Sequence, residues 1–451
     1  MRLRIFLPIS AGALASLALA GCASDLGLGP SKPKMTAIVV GDEPYAVSAA
    51  ATVMSGGGNA ADAATAMYFA LSVTYPVAAG LGGGGICLVH DPAGHRTEEF
   101  DFLARDVASG GAFAVPGNVR GFAAMQTEFG AIPWQRVIAP SEGYAAAGFP
   151  ISQALVTRLQ AAENVIRLDA GLAGEFMDES GRIKPAGSVV SNRELASSLS
   201  EIRTQGADAF YKGTLGDRIV AYSAAQGGAI STAELAGYPP SRSTPHRVQL
   251  GGQIIQLPRE GIGAGAFAGA LFGNVVRAQN GASGAANTEA QVVEATKQAL
   301  SSFEVANLPN DLGATGFAAT DRNGQAVACA VTMNGPFGSG HTAQGTGVTL
   351  ARAASAGEAG LAAAFLTPVI ATDGDGAVVL AGAGAGGPVG TASIADALAR
   401  LGKGEIVTRR GNNPAPGSKL YDTVNAILCQ GSACKALIDA SANGLGATPG
   451  R

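Results

Sequence analysis

The stretch Asn310–Asn334 constrains this chain more than any other. Two apolar runs, Thr315–Asp321 and Ala326–Met333, read as short strands on either side of Arg322-Asn323-Gly324. Asn-Gly between such runs signals a two-residue hairpin turn, whose central residues need positive φ. An antiparallel hairpin sets Thr315, at the start of the first strand, beside Thr332, near the end of the second. A sheet holds a hydroxyl rigidly, as chemistry requires. The same hairpin with two incidental threonines is an ordinary piece of core. The segment by itself leaves both readings open.

With 451 residues there is room for one large domain or two smaller ones. Sixty-five glycines and only 14% charged residues point to a compact fold of closely packed small side chains. A net charge of −4 leaves no basic footprint for nucleic acid. Four histidines are too few for a histidine-rich metal site, and no cofactor motif is present. The glycine run Gly82–Gly85 is not a phosphate loop, since no Lys-Ser/Thr follows and no helix opens there.

Residues 1–21 read as a targeting segment. Arg2 and Arg4 form a positive start, and Ile5–Ala20 is an apolar run too short for a comfortable membrane span. It ends in Leu19-Ala20-Gly21-Cys22, which resembles a bacterial lipoprotein cleavage box in which Cys22 takes the lipid. Ala23-Ser24, with no Asp after the cysteine, resembles the outer-membrane pattern. Residues 22–34 are then a lipidated tether, and the mature chain is expected on the periplasmic face of a bacterial membrane, the outer one, with the membrane as a partner through its anchor. Cys429 and Cys434, in CQGSAC, are expected to pair in such an oxidising compartment, with two free thiols as the alternative. Cys87 and Cys329 lie in apolar runs and read as core residues.

Along the chain, Met35–Gly41 reads as a strand and Pro44–Ser55 as a helix stopped by three glycines. Asn59 caps a second helix, Ala60–Leu71. Ile86–His90 and Glu98–Arg105 read as strands, Leu155–Leu172 and Asn192–Gln205 as helices. Gln249–Leu257 is a strand pair, and Ala264–Ala278, Glu289–Ser302 and Thr391–Leu401 are helical. Periodicity and composition alone support only a mixed α and β fold.

Several phrases together resemble the gamma-glutamyltranspeptidase family of N-terminal-nucleophile hydrolases. They are AVSAAATVMSGGGNAADAATAM, GLGGGGICLVHD, the run from Val115 through the single Trp134, and the hairpin itself. The resemblance covers roughly Met35 to the end. It implies an α+β fold, the four-layer αββα sandwich, with residues 35–314 matching the large subunit and 315–451 the small one. In the family a precursor cuts itself and exposes a threonine whose own α-amino group is the base. The family's hairpin pattern maps onto Ala314-Thr315-Gly316-Phe317, Asp321, Gly324 and Thr332-Met333-Asn334. The oxyanion-hole Gly-Gly maps onto Gly386-Gly387.

The departures fall at the reacting positions. The nucleophilic threonine falls on Ala314, which has no oxygen. The carboxylate-gripping arginine falls on Leu103, with Arg105 two residues on as a substitute on the same strand face. The residues that hold the substrate's amino group fall on Ala351 and Arg352, and a serine pair on Ala364 and Phe365. One reading is an active enzyme on gamma-glutamyl or related amide bonds of small peptides. It cuts before Thr315, with Thr315 as nucleophile, Thr332 as its hydrogen-bond partner, Asn334 and Arg105 as substrate contacts, and Gly386 and Gly387 as the oxyanion hole. It needs a one-residue shift absorbed by a bulge, for which Gly313 and Gly316 provide room. The alternative is an uncleaved, lipid-anchored pseudoenzyme with a binding or structural role. A third is an amidase for a less charged substrate.

Overall fold

The computed structural model describes residues 34–259, 264–281, 288–303, 308–404, 423–438 and 444–450. The targeting segment with Cys22, and all but the last residue of the tether, lie outside the described residues. Residues 35–451 form one compact unit. Its main strands, in chain order, are β1 (Ile38–Gly41), β2 (Gly84–Asp91), β3 (Arg96–Phe102), β4 (Ser241–Ser243), β5 (His246–Leu250), β6 (Gln253–Leu257), β7 (Ala314–Thr320), β8 (Ala326–Thr332), β9 (Thr367–Thr372), β10 (Val378–Ala385), β11 (Thr423–Gln430), β12 (Ala433–Ile438) and β13 (Leu445–Ala447).

They build two antiparallel sheets, ordered β13-β1-β7-β8-β2-β3-β4 and β12-β11-β10-β9-β6-β5. β7 and β8 pack across β10 of the second sheet. Helices Pro44–Ser55 and Ala60–Thr74 cover the outer face of the first sheet. Helices Ala264–Gly281 and Pro388–Gly402 cover the second, and Thr288–Ser301 packs on both of them. This is the αββα sandwich. Each central strand is buried on both faces, which is why β7 and β8 read as continuous apolar runs. Among the described residues, no helix is long and apolar enough to cross a membrane.

Local chemistry explains the helix bounds. Glu43 and Asn59 cap the first two helices, and Asp62 completes a capping box with Asn59. The Leu155–Leu172 helix of the sequence reading is instead three pieces, Gln153–Ala161, Glu163–Ile166 and Ala170–Phe176. The last of these starts at Asp169, whose side chain caps it by accepting from the Leu172 N–H.

The layer between the sheets is built from small side chains. Ala314, Ala330, Ala383 and Ala385 meet there with Ile86 and Leu366, and Ala318 meets Ile427. A Cβ at Gly316 would lie 2.8 Å from that of Ala383, so the approach of β7 to β10 excludes any side chain there. The four-glycine run has the same cause. Each of Gly82–Gly85 meets backbone atoms within 2.6 Å of a would-be Cβ, and none has positive φ.

Three sequence expectations need correction. The β7–β8 turn is longer than two residues: Asp321 N–H donates to Gln325 O at 3.0 Å, and only Gly324 has positive φ. It is a type I turn closed by a glycine bulge, with Asp321 Oδ1 accepting from the Asn323 and Gln325 N–H groups. Cys87 and Cys329 are not free core residues. They face each other across β2 and β8 and form a disulfide. Glu98–Arg105 is not one strand: β3 ends at Phe102, and Arg105 starts a separate two-residue strand. Arg105 therefore does not share a strand face with Leu103. Cys429 and Cys434 are disulfide-bonded across β11 and β12.

Candidate functional site

The start of β7 and the end of β8 are neighbours, as the hairpin demands. Ala314 pairs with Thr332 and Thr315 with Val331, and the register runs unbroken to Thr320 and Ala326. Alternation then sends successive side chains to opposite faces. Ala314 faces the second sheet, inside the apolar cluster of Ile86, Ala383, Ala385 and Leu366, with Leu103 packed against it. Thr315 lies on the other face, beside Val331 of the helix-side core. The bulge that would bring Thr315 round to the inter-sheet face is absent from β7.

The Thr315 hydroxyl is buried and donates to Asp42 Oδ2 at 2.6 Å. Asp42 follows the last residue of β1. Its Oδ1 accepts from Asn425 Nδ2 of the second sheet at 2.6 Å, and the same amide reaches Gly316 O at 2.9 Å. Thr315 is thus tied into a link between the sheets.

Thr332 keeps the inter-sheet side. Its hydroxyl donates to Gly313 O at 3.0 Å and accepts from Asn334 N–H at 2.9 Å. Asn334 is left-handed, with φ 59°, and its Nδ2 donates to Arg352 O at 2.9 Å. Gly386, with φ 88°, and Gly387 follow Ala385 directly and open the helix Pro388–Gly402, which has no side-chain cap. A helix start of this kind presents backbone N–H groups suited to an oxyanion. Thr332 thus pairs with Ala314 and holds Asn334, Ala385 just before the Gly386-Gly387 turn shares the Ala314 cluster, and Thr315 lies on the opposite face of β7.

A second buried network grips the residues just before β7. Arg158, 2% exposed, pairs through two nitrogens with Asp311, 6% exposed. Its Nη1 donates to Ala314 O at 2.9 Å, and Asp311 Oδ1 accepts from Gly313 N–H at 2.7 Å. Burial opposes the guanidinium charge, but Asp311 and Tyr75 together more than offset it, so Arg158 is held charged well above its ordinary range. Sequence reasoning missed Arg158, Asp311, Asp42 and Asn425. The one available signal was an arginine on the apolar face of ALVTRL, where it is more often a solvated residue.

The remaining candidate residues have different surroundings. Arg105 is exposed and lies 5.0 Å over the Tyr238 ring. Phe365 points into the helix-side core of the second sheet, 4.9 Å from the Phe267 ring. Arg352 is exposed, its guanidinium carbon 3.8 Å from a would-be Cβ on Gly335. Among the described residues, no group of three His, Cys, Asp or Glu is placed to hold a metal ion.

Two antiparallel sheets between helical layers, with a small-residue turn from β10 into a helix beside the start of β7, define the N-terminal-nucleophile hydrolase architecture. The chain belongs to the gamma-glutamyltranspeptidase family: the profile described as Gamma-glutamyltranspeptidase matches residues 46–304, ending ahead of β7. Glutathione hydrolase 2 of Arabidopsis thaliana is 32% identical over 222 residues, 46% of this chain and 38% of that protein. The chain spans about two fifths of the length of the curated relatives it matches. The crystal structure of cephalosporin acylase from Bacillus halodurans has the same fold, with TM-score 0.73 at 17% identity over 93% of this chain and 98% of that one. Helicobacter pylori gamma-glutamyltranspeptidase matches with TM-score 0.52 at 26% identity, over 58% of this chain and 81% of that one.

Proposed function

We propose that this family member keeps the αββα scaffold and a cleft for small peptide or amide ligands, but does not carry out acyl transfer. The observation that carries this reading is Ala314. It stands opposite Thr332 on the inter-sheet face, where an attacking oxygen is needed, and Thr315 is held on the other face by Asp42. Leu103, packed against the apolar cluster that holds Ala314, adds an apolar wall where a carboxylate grip would serve a gamma-glutamyl group. In this reading the chain stays uncleaved.

A second reading draws support from Thr332, which holds Asn334, and from the Gly386-Gly387 turn that opens a helix without a side-chain cap. In it the chain cuts before Thr315 and hydrolyses gamma-glutamyl or related amide bonds, with Thr315 as nucleophile. A chromogenic gamma-glutamyl anilide separates the two. The first reading expects no release of the aniline above buffer, alongside saturable heat on titration with glutathione. Turnover that disappears in Thr315→Ala would establish the second.

We further propose that the protein is exported and anchored through lipid on Cys22. Two disulfides, Cys87–Cys329 and Cys429–Cys434, support an oxidising compartment. Labelled palmitate should enter the wild-type chain in bacterial cells and not Cys22→Ser. Equal labelling of both would remove the anchor from the account.

A further inference from the structure

A cavity of about 280 Å³ lies on the helix side of the first sheet, away from Ala314. Its walls come from the end of helix Ala60–Thr74, from helix Ala170–Phe176 and from the start of helix Arg193–Gln205. None of Leu103, Ala314, Thr332, Asn334 or Gly386 lines it. It is therefore independent of the site described above and of the reading placed on it.

One carboxylate dominates the cavity. Glu175 Oε2 accepts from Asn192 Nδ2 at 2.9 Å, and the amide is fixed because Asn192 Oδ1 also caps the next helix at Leu195 N–H. Glu175 Oε1 takes no hydrogen bond from the described residues. Burial pushes this carboxyl up to about 7, with Asn192 and Lys184 opposing. Lys184 spends its ammonium on the carbonyls of Gly174 and Glu175. Of the other charged residues on the lining, Glu194 accepts from Gly345 N–H and Arg193 is exposed. The rest of the lining mixes apolar Val73, Leu172 and Leu195 with the hydroxyl residues Ser72, Ser191, Thr342 and Thr349.

We propose that this cavity binds a small primary ammonium, its charge on the Glu175 carboxylate and its apolar body against Val73, Leu172 and Leu195. The fixed carboxylate has a spare oxygen beside Val73, Leu172 and Leu195, and Lys184 bonds to backbone carbonyls rather than to it, so a compact ammonium there supplies both charge and donors. An anion would meet Glu175 and Glu194, with Arg193 on the lining and Lys184 beside Glu175 in its favour. A neutral alcohol of the same size would fill the space without offsetting the charge.

The test is calorimetric titration of the whole mature chain with n-butylammonium, n-butanol and butyrate. A ligand this small is expected to bind saturably at about millimolar concentration. The alcohol and the carboxylate should bind about tenfold more weakly or not at all. Glu175→Gln, which can still accept from Asn192, should lose the ammonium preference. In the wild type, the Glu175 carboxyl carbon should titrate at lower pH once n-butylammonium is bound. That measurement stands even if the variant does not fold. Equal binding of the alcohol, an unchanged affinity in Glu175→Gln, or an unmoved Glu175 titration would overturn the proposal.

Discussion

The Thr315 hydroxyl donates to Asp42 Oδ2 at 2.6 Å, on the face of β7 opposite the Ala314 methyl. This bond converts the residue nearest the expected nucleophile into part of the core. Asp42 also receives Asn425 from the other sheet, so its loss would leave two buried donors without their acceptor. Asp42→Ala should cost about 2–4 kcal/mol in urea unfolding. A loss under about 0.5 kcal/mol would mean that the link does not hold the sheets.

Arg158 and Asp311 pose a sharper test, because both are nearly inaccessible. Arg158→Met alone strands a buried carboxylate and should destabilise by about 3–5 kcal/mol. Adding Asp311→Leu should restore much of that, since an apolar pair of similar volume avoids desolvating two charges. If the double variant is as unstable as the single, the carboxylate is not the cause.

Glu43 gives a pH signature. Burial is the main influence and pushes it up to about 7, although Thr74 Oγ1 and Ala46 N–H both donate to Oε2. Its unfolded value is 4.5, so the folded state holds this proton more tightly. The contribution to stability is full below about 4.5 and is lost as pH rises through about 7. The stability difference between wild type and Glu43→Gln should therefore change across that window, by up to about 3 kcal/mol, against the wild type on the alkaline side. A pH-independent difference would refute the assignment.

The Cys87–Cys329 disulfide closes a loop 242 residues apart in sequence. The double alanine variant should lose about 3–5 kcal/mol. Thiol titration of the unfolded, unreduced wild type should find none of Cys87, Cys329, Cys429 or Cys434 free. Reactive thiols at the first pair would show that the bridge does not form in the purified protein.

Much of the local structure was legible in the sequence. Pro44–Ser55 begins and ends where Pro, Ser and three glycines place it, and Asn59 caps as its residue type demands. The hairpin strands fall within a residue of expectation because apolar runs and Asn-Gly are local signals. The partners of Thr315 were not legible. Asp42 and Asn425 lie 273 positions before and 110 after it in sequence, and only the strand order brings them together. The same holds for Cys87 and Cys329, which look like core residues until β2 is known to lie beside β8. The turn was misjudged because Asn-Gly suits both a two-residue turn and a type I turn with a glycine bulge. The four layers were expected from resemblance, not from periodicity.

The most direct test of the central claim, that Ala314 leaves the chain without an exposed N-terminal nucleophile, is the intact mass of the purified mature protein under denaturing, reducing conditions. The account predicts one uncleaved polypeptide, unchanged on prolonged incubation. Two fragments, the second beginning at Thr315, would contradict it and give that residue the catalytic role.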